Sequence, residues 1–215
     1  MRKSWFGFVV AVLAGAFSAW AYPRLPPEVA THWNVRGAPD DYSTRLFAAA
    51  FMPLLIAGVA GLMHVLPKID PRRANYAKFL DTYWLLINGV LLFLGAVHVF
   101  VILIGLGVAV PLDRVVIIGL GLVFMLIGNH LGRIQPNWFA GIRTPWTLSS
   151  ETVWRKTHST GRWFFVFGGL AMVAMAFVPG TAKFVLIVTT VVVITLAPVL
   201  QSYLLWRAEQ REVGD

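Results

Sequence analysis

The sequence predicts an all-α integral membrane protein with six transmembrane helices and both termini in the cytoplasm. Three observations predict it. Of the 215 residues, 58% are hydrophobic and only 13% are charged, against roughly 25% charged in a soluble domain. The apolar residues fall into long runs, and about 20 residues at 1.5 Å each cross ~30 Å of hydrocarbon. The Lys and Arg residues also divide unevenly between alternate connecting segments. With the amino terminus inside, thirteen fall on the inner side and five on the outer, which is the bias that orients membrane proteins.

The first run, Trp5–Tyr22, follows Arg2 and Lys3. It exceeds the apolar core of a secretory signal, and Trp20 and Tyr22 suit an interfacial belt, so a retained helix is expected. Residues 23–45 follow as an outer loop. Pro26-Pro27 stiffens its start, Asn34-Val35-Arg36-Gly37 reads as a turn with Gly37 at positive φ, and Pro39-Asp40-Asp41 gives another break. A solvated, turn-rich loop is the expectation. His32, Glu28, Asp40 and Asp41 are ligand types for a divalent cation, but their spacing matches no ligand pattern, so no metal is assigned.

The remaining runs are Leu46–Leu66, Tyr83–Leu106, Val115–Leu131, Trp163–Val178 and Phe184–Trp206. Pro53 and Pro198 lie inside two of them, where proline kinks a helix. Residues 1–66 read as a two-helix unit bearing the outer loop. Residues 67–215 read as a four-helix unit bearing an inner loop, 132–162.

That inner loop is too long to be only a connector. Asn137 to Trp146 is rich in Gly, Pro and Trp and is expected to be irregular. Trp138, Phe139 and Trp146 suit the headgroup level. Arg143 stands among them, with a planar fork that can hold a phosphate, a partner's carboxylate or backbone carbonyls of this chain. Ser149 or Ser150 should cap a short helix over Ser150–Thr160 lying on the membrane. Trp154 and His158, four apart, share a face of that helix, with Trp154 expected in the bilayer boundary.

The two loops together resemble those of the SdpI family of bacterial membrane proteins. The outer loop carries Pro27 and then His32-Trp33-Asn34-Val35-Arg36-Gly37-Ala38-Pro39-Asp40. The inner stretch carries Gly128-Asn129, Pro136-Asn137, Gly141-Ile142-Arg143-Thr144-Pro145-Trp146-Thr147 and Trp154-Arg155-Lys156-Thr157-His158. The N-terminal part is similar to the domain of unknown function that begins such proteins. The resemblance implies immunity against a secreted antimicrobial peptide outside the cytoplasmic membrane, and recruitment of an autorepressor inside it. On that reading His32, Asn34, Gly37 and Asp40 form the outer binding set. Asn129, Asn137, Gly141, Arg143, Thr144, Trp154 and His158 form the inner one.

Other functions have less support. With no cysteine in the chain, disulfides, thiolate metal sites and cysteine nucleophiles are excluded. The net charge of +8 sits in short segments beside apolar runs, which fits anionic lipid better than nucleic acid. No HExxH, GxSxG or P-loop appears, so neither an enzyme nor a cofactor is expected. The polar residues His64, Asn88, His98 and His130 lie within spans. They keep open a small transporter or an ion- or proton-conducting protein, although such residues more often bond between helices.

Overall fold

The computed structural model describes residues 2–34 and 37–214. In order come α1 (Phe6–Ala21), a hairpin of β1 (Glu28–Trp33) and β2 (Pro39–Thr44), α2 (Arg45–Ile69), α3 (Leu80–Gly105), α4 (Leu112–Leu131), α5 (Pro145–Ser149), α6 (Glu151–Met175) and α7 (Gly180–Gly214). A 3-10 segment, Arg73–Lys78, precedes α3. Five of these helices, α1 to α4 and α7, are long and apolar enough to cross a membrane. Their outward faces are apolar: Leu13, Leu54, Leu92, Leu122 and Leu200 are all exposed. Water would not tolerate so continuous an apolar exterior, and a lipid bilayer would.

The remaining predicted crossing departs from expectation. A separate surface helix over 150–160 was expected before a span beginning at Trp163. Instead α6 runs unbroken from Glu151 to Met175. The single Gly161 costs a helix only about 1 kcal/mol relative to alanine, too little to break one packed along its length. There the glycine lets Ile142 close in, since a Cβ would meet Ile142 Cδ1 at 2.9 Å. The first half of α6 bears Glu151, Arg155, Lys156 and Arg162, which keeps the helix as a whole out of the strongly apolar set.

The outer loop is also more ordered than expected. It is an antiparallel hairpin, with Glu28 opposite Thr44 and Trp33 opposite Pro39. Val29 and Ala30 are buried, and Val29 joins Ala21, Leu25, Ala48 and Ile102 in a small core at this end of the bundle. Burying one apolar face is what turns a turn-rich loop into a strand pair. The predicted turn is present: Gly37 has φ +77° and donates its N–H to the Asn34 carbonyl at 2.8 Å. Val35 and Arg36, inside that turn, lie outside the described residues.

Helices α1, α2 and α3 pack on one another, α6 lies between α4 and α7, and α3 meets α4. The α4–α6 contact is the most intimate. At Gly121 an added Cβ would sit 2.6 Å from the Gly169 carbonyl, and at Gly128 it would sit 2.7 Å from that of Arg162. Lipid-solvated helices gain little from apolar burial and associate through such close backbone approach. Gly128→Leu is therefore expected to force α4 off α6, at a cost of about 3 kcal/mol for overpacking. Thermal unfolding in detergent tests it, and a melting temperature equal to wild type would refute the contact.

Candidate functional site

At the end of the bundle away from the hairpin, the segment 132–150 folds onto the α2–α3 connection and onto α6. Its centre is Asn137, which has no exposed surface. Asn137 Oδ1 accepts from Phe139 N (2.8 Å), Ala140 N (2.7 Å) and Tyr76 Oη (3.3 Å). Its Nδ2 donates to the carbonyls of Gln135 (2.8 Å) and Ala140 (2.9 Å). One asparagine thus supplies the bonds that a regular helix would otherwise provide to this irregular backbone.

Asp70, just beyond α2, ties the two connections together. It is 2% exposed. Its carboxyl group accepts from Arg72 N (2.7 Å), Tyr76 Oη (3.0 Å) and, from the other connection, Trp138 N (2.9 Å). Burial first, then Asp70, raises the pKa of the Tyr76 phenol, so it remains a proton donor to both Asp70 and Asn137. Asn75 Nδ2 donates to the Pro136 carbonyl (2.7 Å), and an Arg72 guanidinium N–H donates to the Leu148 carbonyl (3.0 Å). Sequence reading missed Asp70, Tyr76 and Asn75. They stand some 60 residues from their partners, and no local pattern joins them.

The Gly141-to-Thr147 motif resolves into structural duties. Gly141 has φ +105°, and a Cβ there would collide with the His158 ring. Ile142 N donates to His158 Nε2 at 3.0 Å. Nε2 is therefore the unprotonated nitrogen, and Nδ1–H donates to the Trp154 carbonyl at 2.8 Å. Burial holds the His158 pKa down at about 4, so the ring is neutral. Thr144 caps α5 in a reciprocal capping box with Thr147, and Pro145 takes the first helical position. Thr144 Oγ1 also meets Ser202 Oγ of α7 at 3.0 Å. Arg143 alone in this run presents a charged side chain outward. One guanidinium nitrogen donates to the Trp138 carbonyl at 2.7 Å.

Ser150 caps α6 as expected, accepting from Val153 N at 3.1 Å. Trp154 and His158 do share a face, with rings stacked 4.1 Å apart. Trp154 is not at the bilayer boundary, however. It is 1% exposed, in a cluster with Tyr76, Phe79, Tyr83, Leu131, Ile134 and Ile142, and its indole N–H donates to the Ile134 carbonyl at 2.8 Å. A buried carbonyl in need of a donor accounts for the placement. Trp138 is exposed, as interfacial placement requires, while Trp146 packs on Tyr203 of α7.

Asn129 stays apart from this cluster, on an exposed face of α4. His64 Nδ1 faces the Ala60 carbonyl (2.7 Å) and His130 Nδ1 faces that of Leu126 (2.9 Å), so each is tied to its own helix. The His64 ring also packs against Trp5, Phe8 and Trp84. Asn88 lies on α3. His98 is fully buried and meets Ser18 Oγ of α1 at 2.7 Å.

At the hairpin end, the four predicted residues do come together. His32 Nδ1 on β1 faces Asp40 Oδ1 on β2 at 2.6 Å, and both side chains are well exposed. Asn34 accepts the Ala38 N–H on Oδ1 at 3.2 Å, and Gly37 completes the turn. Beside them, Lys183 of α7 pairs with Asp113 of α4 at 2.6 Å. Groups of three or more metal-ligating side chains are absent among the described residues.

An apolar helical bundle with a structured hairpin at one end and a hydrogen-bonded platform at the other defines a multi-pass membrane protein. The SdpI/YfhL protein family matches residues 133–202, which hold the platform, α6 and most of α7. A domain of unknown function, DUF1648, matches residues 9–57, which hold α1, the hairpin and half of α2. The immunity protein SdpI of Bacillus subtilis (strain 168) is 24% identical over 203 residues, covering 94% of this chain and 95% of that protein. No solved structure matches. These matches make the chain similar to SdpI-family membrane proteins at both its N-terminal and its C-terminal part.

Proposed function

We propose that this protein resides in the bacterial cytoplasmic membrane and protects its cell against a secreted antimicrobial peptide. The observation that carries the reading is end-to-end similarity to an immunity protein, at both the hairpin and the platform. Both termini lie in the cytoplasm, the hairpin faces outward and the platform inward. The distribution of Lys and Arg supports that orientation. The apolar second half of α6, Trp163–Met175, is the remaining crossing. At 1.5 Å per residue it spans about 20 Å, so the bilayer thins locally around it.

In this scheme the two-helix unit of residues 1–66 receives the peptide through His32, Asn34, Gly37 and Asp40. The four-helix unit reports inward, where the platform recruits a cytoplasmic repressor. Asn137, Gly141, Thr144, Trp154 and His158 hold the platform's shape. Arg143, exposed and planar, makes the contact, with Asn129 on the neighbouring face of α4. Within the membrane His98 ties α3 to α1 through Ser18, while His64 and His130 bond to their own helices and Asn88 lies on α3.

Survival tests the reading. A sensitive bacterium expressing the chain is exposed to the secreted peptide of a killing strain, beside cells expressing Arg143→Ala. The intact chain should raise survivors at least tenfold, and Arg143→Ala at equal membrane abundance should lose recruitment of the repressor. Full recruitment by Arg143→Ala would remove Arg143 from the contact. Equal killing with and without the intact chain would refute protection against that peptide.

A further inference from the structure

Two cavities lie side by side beneath the hairpin. The first, about 280 Å³, is walled by Phe47, Phe51 and Met52 of α2, Val97 and Val101 of α3, and Val116 of α4. The second, about 300 Å³, continues past Ile117 to Lys183, Phe184 and Ile187 of α7. They share Thr31, Trp33, Leu112 and Val116. Both are apolar and of single-side-chain scale, at the small end of ligand sites.

Two features say what fits. The second cavity is lined by four consecutive residues, Thr31, His32, Trp33 and Asn34, and by none of β2. The β1–β2 register is irregular between Ala30 and Trp33, and this irregular end of β1, with Asn34 beyond it, borders the second cavity. Among the described residues β1 pairs with β2 alone, so its other edge has no strand beside it. The first cavity ends on His98, which is wholly buried. One ring nitrogen is spent on Ser18 of α1, while Nδ1 has no hydrogen-bond partner. A buried polar atom left bare is costly, and unlike His64 Nε2 and Thr157 Oγ1, which are also bare, this one belongs to a residue that lines the first cavity.

We propose that this edge is a peptide site: an extended segment of an extracellular peptide adds to β1 as a third strand and drops alternate apolar side chains into the two cavities. Backbone hydrogen bonds to β1 supply affinity, and the cavities read residues i and i+2. The first cavity takes an aromatic residue with a polar handle, Trp or Tyr, whose N–H or O–H meets His98 at depth. The proposal rests on the immunity reading only for the source of the peptide. The site itself is testable without a toxin.

The chain contains no cysteine, so a single Val116→Cys thiol reports on the wall shared by both cavities. Val191→Cys, on the exposed face of α7, is the control. The purified full-length variants are labelled with a maleimide in the presence of Ac-Thr-Trp-Thr-Trp-Thr-NH2, its Ala-for-Trp analogue, or its backbone N-methylated form. The Trp peptide should slow labelling of Val116→Cys at least fivefold and leave Val191→Cys unchanged. The Ala and N-methylated peptides should do neither. Unchanged labelling with the Trp peptide, or equal slowing by the N-methylated form, overturns the strand-addition site. If Val116→Cys folds poorly, Met52→Cys reports on the same cavity.

Survival separates the two ideas. Val116→Trp fills the shared wall. If the intact chain protects and well-expressed Val116→Trp protects equally, the site is wrong and immunity stands. If the Trp peptide protects the thiol while the intact chain gives no immunity, the site stands and the immunity reading falls.

Discussion

Asp70→Ala is expected to destabilise the inward platform by about 3 kcal/mol, the cost of removing hydrogen bonds to a buried acidic group and stranding their donors. Three donors converge on its carboxyl group, from Arg72 N, Tyr76 Oη and Trp138 N. Tyr76 can fall back on Asn137, but the longer 3.3 Å contact to Oδ1 already competes with two backbone donors there. Trp138 N has no second acceptor within the described contacts. Asp70→Asn keeps the shape and one acceptor oxygen, so a loss of about half that size is expected. Amide exchange of residues 132–150 and thermal unfolding in detergent are the measurements. Exchange in Asp70→Ala equal to wild type would show that the two connections fold independently, and the interlocked platform would be wrong.

Membrane character was legible in the apolar runs because the bilayer imposes a length that composition alone reveals. The inner motif was legible as a feature but its duties were not. Gly141 and Thr144 read as candidates for contact with a partner. They instead serve His158, α5 and α7, together with Ile142 and Thr147. The acceptor or donor that decides between binding and structure sits on another segment: Ser202 for Thr144, Ile134 for Trp154, Asp70 for the Trp138 amide. Sequence shows a residue's chemistry and not who stands opposite it. The hairpin was missed for a related reason. Its strands are short and polar, and only contact with Leu25, Ala48 and Ile102 gives Val29 an inner face. The continuity of α6 was missed because the charge near Arg155 and Arg162 and the glycine at 161 suggest a boundary, which packing along the helix overrides.

Acid is expected to loosen the same platform through His158. In the folded chain its Nε2 must stay bare to accept from Ile142, and burial depresses its pKa from 6.5 to about 4. In the unfolded chain the ring takes a proton near its ordinary value. Above pH 6.5 neither state is protonated, and the group contributes no pH dependence. As pH falls below 6.5 the unfolded state binds the proton first, so stability declines, and the decline is complete once pH has passed below about 4. A depression of this size corresponds to about 3 kcal/mol at 1.36 kcal/mol per unit. His158→Gln, which can still offer an acceptor to Ile142 N, should start less stable and lose most of the extra slope between pH 6.5 and 4. The four other histidines are common to both proteins, so the difference between the two pH profiles isolates His158. Exchange of the Ile142 amide should accelerate in the wild type over the same window, beyond its intrinsic pH dependence. Parallel stability profiles for wild type and His158→Gln would mean that the ring is not the acceptor, and that Gly141 is glycine for some reason other than the imidazole pressed against it.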